Sequence, residues 1–220
     1  MVSFKIPKSI SEATILRLSL YLRCLNILKK ENIKIISSKK LEERFQISSD
    51  QLRKDLAYFG EFGRRGKGYD VEKLHKTIIK ILDLKREKKV IIVGAGHLGQ
   101  ALADFQGFNS GGFKTVALFD KDPEKIGKKT KKGTPILSVE NLEDFIKKEN
   151  VKIGVIATHP SSAQEIYERL TKSGVKGILN FAPIQIKEKE GVVTLNVDLK
   201  IRLETLSFYL KSGITKARGF

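Results

Sequence analysis

Residues 90–99 read Val90-Ile91-Ile92-Val93-Gly94-Ala95-Gly96-His97-Leu98-Gly99, an apolar β-branched run that passes straight into a glycine turn. Helical spacing follows over residues 98–104, then a second β-rich run at 115–119, and Asp120 ends that run 21 positions after Gly99. Strand, glycine turn, helix, strand and acid in this order leave few folds open. Gly94 permits the tight turn, Gly96 lets the backbone approach a pyrophosphate, and Gly99 allows the helix to pack on the strand. The helix N-terminus then faces the phosphates, and Asp120 is placed to accept hydrogen bonds from an adenosine ribose. A carboxylate there repels a 2′-phosphate, which favours NAD(H) over NADP(H), with Lys121 beside it as the opposing charge.

The same alternation continues downstream. Strand-like runs at 152–157 and 177–181 are separated by helical patterns at 141–148 and 163–173, as parallel βαβ units require. Ser162 and Glu165 have capping-box spacing, and Gly174 stands where that helix should stop. Two further turns fall on the carboxyl edge of the expected sheet, where the nicotinamide half of a dinucleotide lies. They are Ala157-Thr158-His159-Pro160 and Asn180-Phe181-Ala182-Pro183, so Thr158, His159, Asn180, Phe181, Ala182 and Pro183 join residues 94–99, Asp120 and Lys121 as candidate cofactor contacts. Phe181 is placed to stack on the nicotinamide or to serve as ordinary core. A strand at 192–196 and an amphipathic helix at 198–211 complete the chain, with Leu199, Leu203, Leu206 and Leu210 spaced four, three and four apart.

The first 89 residues have a different character. Ile15, Leu18, Leu22, Leu25 and Leu28 mark one helical face, with short helices to follow at 38–45 and 49–59 across the turn Gln46-Ile47-Ser48. Residues 61–69, EFGRRGKGY, suit a tight basic hairpin, and Val71, Leu74, Ile78 and Ile81 resume helical spacing. Helix, turn, helix and basic hairpin form the outline of a winged DNA-binding domain. Ser49, Gln51, Arg53, Lys54 and Tyr58 lie on or near the exposed part of the recognition helix, and Arg64, Arg65, Lys67 and Tyr69 lie on the wing. Gln51 is equally placed to close a capping box with Ser48. Charge agrees: the chain carries a formal net charge of +17, and residues 1–89 hold 22 basic against 11 acidic groups. Such a field favours a polyanionic partner, although a lysine-rich solvated surface gives the same totals.

These features divide the chain into a winged-helix domain over 1–84, a linker at 85–89, a Rossmann domain over 90–196 and a terminal helix and tail over 197–220. Cys24 is the single cysteine, so no internal disulfide or thiolate metal cage is available and no metal site is expected. No apolar run approaches the length of a membrane span, and a cytoplasmic address is expected.

The ordered set of motifs resembles the Rex family of redox-sensing repressors. It comprises Gln51-Leu52-Arg53-Lys54-Asp55-Leu56-Ala57-Tyr58-Phe59-Gly60, Gly66-Lys67-Gly68-Tyr69, the Gly94 turn, Ile178-Leu179-Asn180-Phe181-Ala182-Pro183 and Asn196-Val197-Asp198-Leu199. The resemblance implies an α/β homodimer with exchanged C-terminal helices, which binds palindromic operator DNA with NAD⁺ or alone and is released by NADH. It further implies that Arg17 links the two domains through Asp198. Family members often carry asparagine at position 97 and tyrosine at position 105, where this chain has His97 and Phe105, so Phe105 lacks the hydroxyl that would bond Asp198. Two other functions share parts of this pattern. An NAD-dependent dehydrogenase has the same glycine turn, but only about one minimal nucleotide domain follows residue 89, and His75, His97 and His159 form no evident acid/base pair. The other is a constitutive DNA-binding protein with a vestigial Rossmann core.

Overall fold

The computed structural model describes residues 10–60, 62 and 68–214, and contact clustering divides the chain into two compact units. The first takes the described residues up to 85, and the second those from 86 onward.

In the first unit, α1 (Glu12–Lys30) starts at Ser11, whose hydroxyl accepts from the Thr14 N–H, and buries Leu18, Tyr21, Leu25 and Leu28. A two-residue strand, β1 (Ile35–Ile36), precedes α2 (Ser38–Phe45), which Ser37 caps. Gln46 ends α2 in the left-handed conformation, and Ser48 caps α3 (Ser49–Ala57). β2 (Tyr69–Asp70) returns antiparallel to β1, pairing Ile36 with Tyr69, and α4 (Val71–Ile81) follows with Asp70 as its cap. The spacing at 38–45 matches α2 residue for residue, while the third helix ends two residues earlier than its periodicity suggests. The wing residues Arg64, Arg65, Gly66 and Lys67 lie outside the described residues.

The second unit is a six-stranded, all-parallel sheet. Its strands are β3 (Lys88–Val93), β4 (Phe113–Asp120), β5 (Ile136–Ser138), β6 (Ile153–Ile156), β7 (Gly177–Asn180) and β8 (Val193–Asn196). They lie in the spatial order β5-β4-β3-β6-β7-β8. Numbered within this unit, that is 3-2-1-4-5-6, the doubly wound order with a topological switch between its first and fourth strands. The helices are α5 (His97–Asp104), α6 (Leu142–Glu149), α7 (Pro160–Lys172) and α8 (Leu199–Ser212). Ile91, Val93, Phe119 and Ile156 form one buried face with Leu142, Tyr167 and Leu170, while Val90, Ile92, Leu118 and Val155 pack on the other with Ala103. β3, β4 and β6 are buried from both sides, which explains their near-continuous apolar sequence.

Two expectations change. Helix α7 begins at Pro160, three residues before its apolar pattern, because His159 Nδ1 accepts from the Ser161 N–H and Pro160 occupies the first turn. Ser162 therefore lies inside the helix and caps nothing. α8 is less one-sided than its leucine spacing suggests: Ile201 and Phe208 are exposed along with the four leucines, and none of its described residues is buried.

Candidate functional site

Strand β3 delivers the chain into Gly94, which sits at φ +104°. A Cβ there would stand 2.4 Å from the Ala157 carbonyl oxygen, so this glycine lets the turn lie against the end of β6. Gly99 is just as constrained, its Cβ position being 1.8 Å from the Gly94 carbonyl oxygen. Gly96 differs. A Cβ built on it meets nothing within 4 Å, and its backbone is in the ordinary extended region. Among the described residues no packing requires glycine at 96, which leaves room there for the close approach of a ligand. Gly96 is also the N-cap of α5 and has no side chain to satisfy the first N–H groups of that helix. His97 and Leu98 are exposed on this first turn, and Ala95 is buried.

Asp120 at the end of β4 reaches back to this loop. Its Oδ2 accepts from the Ala95 N–H at 2.7 Å and its Oδ1 from the Asp122 N–H at 3.0 Å. Lys125 Nζ lies 3.5 Å from Oδ2, and Lys121 is exposed beside it. Across the switch point, Thr158 Oγ1 is buried with no hydrogen-bond partner among the described residues, an orphaned polar atom beside the Gly94 turn. An open glycine cradle, a helix N-terminus, a strand-end carboxylate and an unpartnered hydroxyl together fit a dinucleotide laid across the carboxyl ends of the strands.

Other candidates serve the frame. Asn180 is buried; its amide donates to the carbonyls of Ala182 and Ile184 and to Asn196 Oδ1, while its own oxygen accepts from the Ala182 N–H. It brackets the turn that holds buried Ala182 and exposed Pro183, with its polar atoms spent on protein. Phe181 is half-buried against the Val90 and Ile92 side of the core. His159 is committed to the α7 N-terminus. Phe105 is 58% exposed and meets Phe108 edge-on with ring centroids 6.1 Å apart, and Asp198 Oδ1 accepts from Lys200 N–H and Ile201 N–H as the cap of α8.

In the first unit, α2, the turn at Gln46 and α3 form the expected helix-turn-helix. Leu52 and Leu56 are buried, whereas Arg53, Lys54 and Tyr58 are exposed and Ser49 is half-buried. Arg53 pairs with Asp50 and donates to Ser38 Oγ at 3.1 Å, which spreads its guanidinium along the outer face of α3. Tyr69, counted from sequence among the wing contacts, is a core residue: its β2 position turns the ring inward, only 8% exposed.

Asp55, quoted above only as part of a motif, carries a role that sequence reasoning missed. It is fully buried and accepts from Arg17 Nε at 2.6 Å, Arg17 Nη2 at 2.7 Å, Tyr21 Oη at 2.7 Å and Gln51 Nε2 at 2.8 Å. Burial pushes this carboxyl up, but the donated hydrogen bonds and the Arg17 charge together hold it below the usual aspartate value. Burial and Asp55 in turn drive the Tyr21 hydroxyl well above an ordinary tyrosine. Arg17 is therefore not a free surface cation, and the Gln51 amide faces inward. One signal was available: positions 52, 55, 56 and 59 form a single helical stripe, and Asp55 is the charged member of it.

Among the described residues no cluster of three metal-ligating side chains occurs, and no helix is long and apolar enough to cross a membrane.

Comparison with known proteins agrees with both halves. Residues 85–184 match the family model described as "CoA binding domain", and residues 9–57 match "Putative DNA-binding protein N-terminus". The chain is 46% identical over 204 residues to the redox-sensing transcriptional repressor Rex 1 of Thermotoga maritima, covering 93% of this chain and 95% of that one. Among solved structures it resembles RSP in complex with β-NAD⁺ and operator DNA, with a TM-score of 0.89, 39% identity and 94% and 95% of the two chains covered. RSP in complex with β-NADH follows at a TM-score of 0.83, 37% identity and 94% and 97% coverage. These relatives are repressors, which sets the dehydrogenase alternative aside. With such identity over nearly its whole length, the chain belongs to the Rex family of redox-sensing transcriptional repressors.

Proposed function

We propose that this protein binds operator DNA through α3 and the adjoining wing, and reads the NADH/NAD⁺ balance at the cradle formed by residues 94–99, Asp120 and Thr158. The observation that carries the reading is the open space over Gly96, a glycine that packing among the described residues does not require, at the switch point of a doubly wound sheet. The α5 N–H groups and the Gly96 backbone would hold the pyrophosphate, Asp120 the ribose, and the Thr158 side the nicotinamide half. When bound, the nicotinamide ring presents the redox state as charge, positive in NAD⁺ and neutral in NADH.

RSP, solved both with β-NAD⁺ and operator DNA and with β-NADH, supports the same pair of ligands here. The working form is a cytoplasmic homodimer on a palindromic site. The exposed apolar surface of α8 supports dimerisation, because a helix apolar on several sides needs a partner to cover it. Exchange of α8 would bring Asp198 of one subunit to the other's nicotinamide and Arg17, with Phe105 alongside.

Fluorescence anisotropy of palindromic duplexes, titrated separately with NAD⁺ and NADH at fixed salt, tests this directly. The expected result is tight binding with NAD⁺ or no ligand and release by NADH. Operator affinity indifferent to NADH would instead mark a constitutive DNA-binding protein.

A further inference from the structure

The Asp120 carboxylate is already crowded. An ionised carboxylate offers about four lone-pair sites. Here the Ala95 N–H, the Asp122 N–H and the Lys125 ammonium occupy three directions around it. Roughly one remains for an adenosine ribose, which presents two hydroxyls. The group next to that vacancy is Lys125. Its ammonium is 3.1 Å from Asp122 Oδ2 and 3.5 Å from Asp120 Oδ2, and those two contacts leave the third of its N–H donors for a ligand.

We propose that Lys125 is a second ribose-recognition residue, donating to the hydroxyl that Asp120 cannot serve, and that it sets how strongly the site rejects a 2′-phosphorylated dinucleotide. This rests on the dinucleotide-sensing reading above. Two carboxylates, Asp120 and Asp122, both pair with Lys125, so its position is prepared before ligand arrives. Asp122 raises its affinity for the proton and Asp120 adds to the effect, which keeps the cation charged. A 2′-phosphate brought to this corner would meet repulsion from both carboxylates and attraction from the ammonium between them. NADPH should therefore be disfavoured but not excluded, and Lys125 should matter more to NADPH than to NADH.

The test is titration of the full-length protein with NADH and with NADPH, followed by nicotinamide fluorescence, for the unaltered chain and for Lys125→Met, Lys125→Arg and Lys129→Met. Lys125→Met should weaken NADH about threefold and NADPH about thirtyfold, so that the preference for NADH rises about tenfold. Lys125→Arg, which keeps the charge, should restore most of the NADPH binding. Lys129→Met, which removes an exposed cation of the following loop, should leave the ratio within about twofold, as expected for a screened surface charge. Equal loss of both ligands in Lys125→Met, or no loss, would overturn the assignment while leaving the sensor reading intact. So would an equal shift in Lys129→Met, since the effect would then be a diffuse field. Failure of the unaltered chain to bind either dinucleotide would remove both readings.

Discussion

Three glycines in one turn answer to three different demands. Gly94 and Gly99 are fixed by backbone atoms 2.4 and 1.8 Å from where a Cβ would stand, whereas Gly96 faces open space. Gly99→Ala should therefore disrupt the unit itself, at a cost of about 2–4 kcal/mol, because the clash is with backbone that cannot rotate away. Gly96→Val should leave the melting temperature within a degree or two and abolish NADH binding. Melting curves and NADH titration of the two variants separate these outcomes; a Gly96→Val protein that still binds NADH normally would show the open space to be unused. Asp55 illustrates the opposite situation, a charge enclosed by donors. Its depressed pKa means that it contributes stability above about pH 4, the unfolded aspartate value, and loses that contribution as the pH falls through its folded value. Asp55→Asn should cost about 3 kcal/mol at pH 7, and the gap between the two proteins should narrow below pH 4. Hydrogen exchange of α1 and α3 amides measures it within the first unit. A gap independent of pH would mean that the carboxylate charge is not what holds α3 on α1.

At the scale of elements, α3 presents Arg53, Lys54 and Tyr58 outward from a helix fixed by Leu52, Asp55 and Leu56. Alanine at Arg53 or Lys54, and at Arg64, Arg65 or Lys67 of the wing, should weaken operator binding in two distinguishable ways. A base-reading side chain should cost about 1–3 kcal/mol and relax preference at one position, while a phosphate contact should weaken all duplexes alike and flatten the salt dependence. Anisotropy on operator and scrambled duplexes decides which is which, and five silent substitutions would displace the interface from α3 and the wing. The same elements show what a sequence can disclose. α2 and the Gly94 turn were legible because their signals are local: a serine cap with a short periodic run, and glycines at fixed offsets. β1 and β5, two and three residues long, were not, since each exists only through pairing with a strand remote in sequence. The start of α7 was misplaced because a histidine cap followed by proline outranked the serine and glutamate spacing. Asp55 and Lys125 were missed for a common reason: each role is set by partners brought in by the fold, Arg17 38 positions away in one case and the end of β4 in the other.

For the whole molecule, the question is how one charge on a nicotinamide ring could alter the grip on DNA. A ligand shifts an equilibrium only through a difference in affinity for its two states. Asp198 is the carboxylate placed to feel that difference in the proposed exchanged dimer, yet within one chain it caps α8, accepting from Lys200 and Ile201 N–H. Arg17, its proposed partner, has Nε and Nη2 on Asp55. In the proposed dimer a partner-subunit carboxylate would either share Arg17 through Nη1 or draw it off Asp55, and either event would bear on α3, which Asp55 holds. Phe105 supplies no hydroxyl to donate to Asp198, so in the proposed dimer Arg17 and water would be its donors beyond the two α8 N–H groups. The cap and the charge can be separated. Asp198→Ser retains a side-chain oxygen for the α8 N-terminus, worth about 1 kcal/mol, but removes the charge, whereas Asp198→Ala removes both. Both variants should remain dimeric by sedimentation and bind NADH, and both should show a smaller difference in operator affinity between NADH and NAD⁺. If Asp198→Ser kept the full NADH/NAD⁺ difference while Asp198→Ala lost it, the residue would act through the helix end alone, and the charge-sensing role would have to pass to another group near the ring.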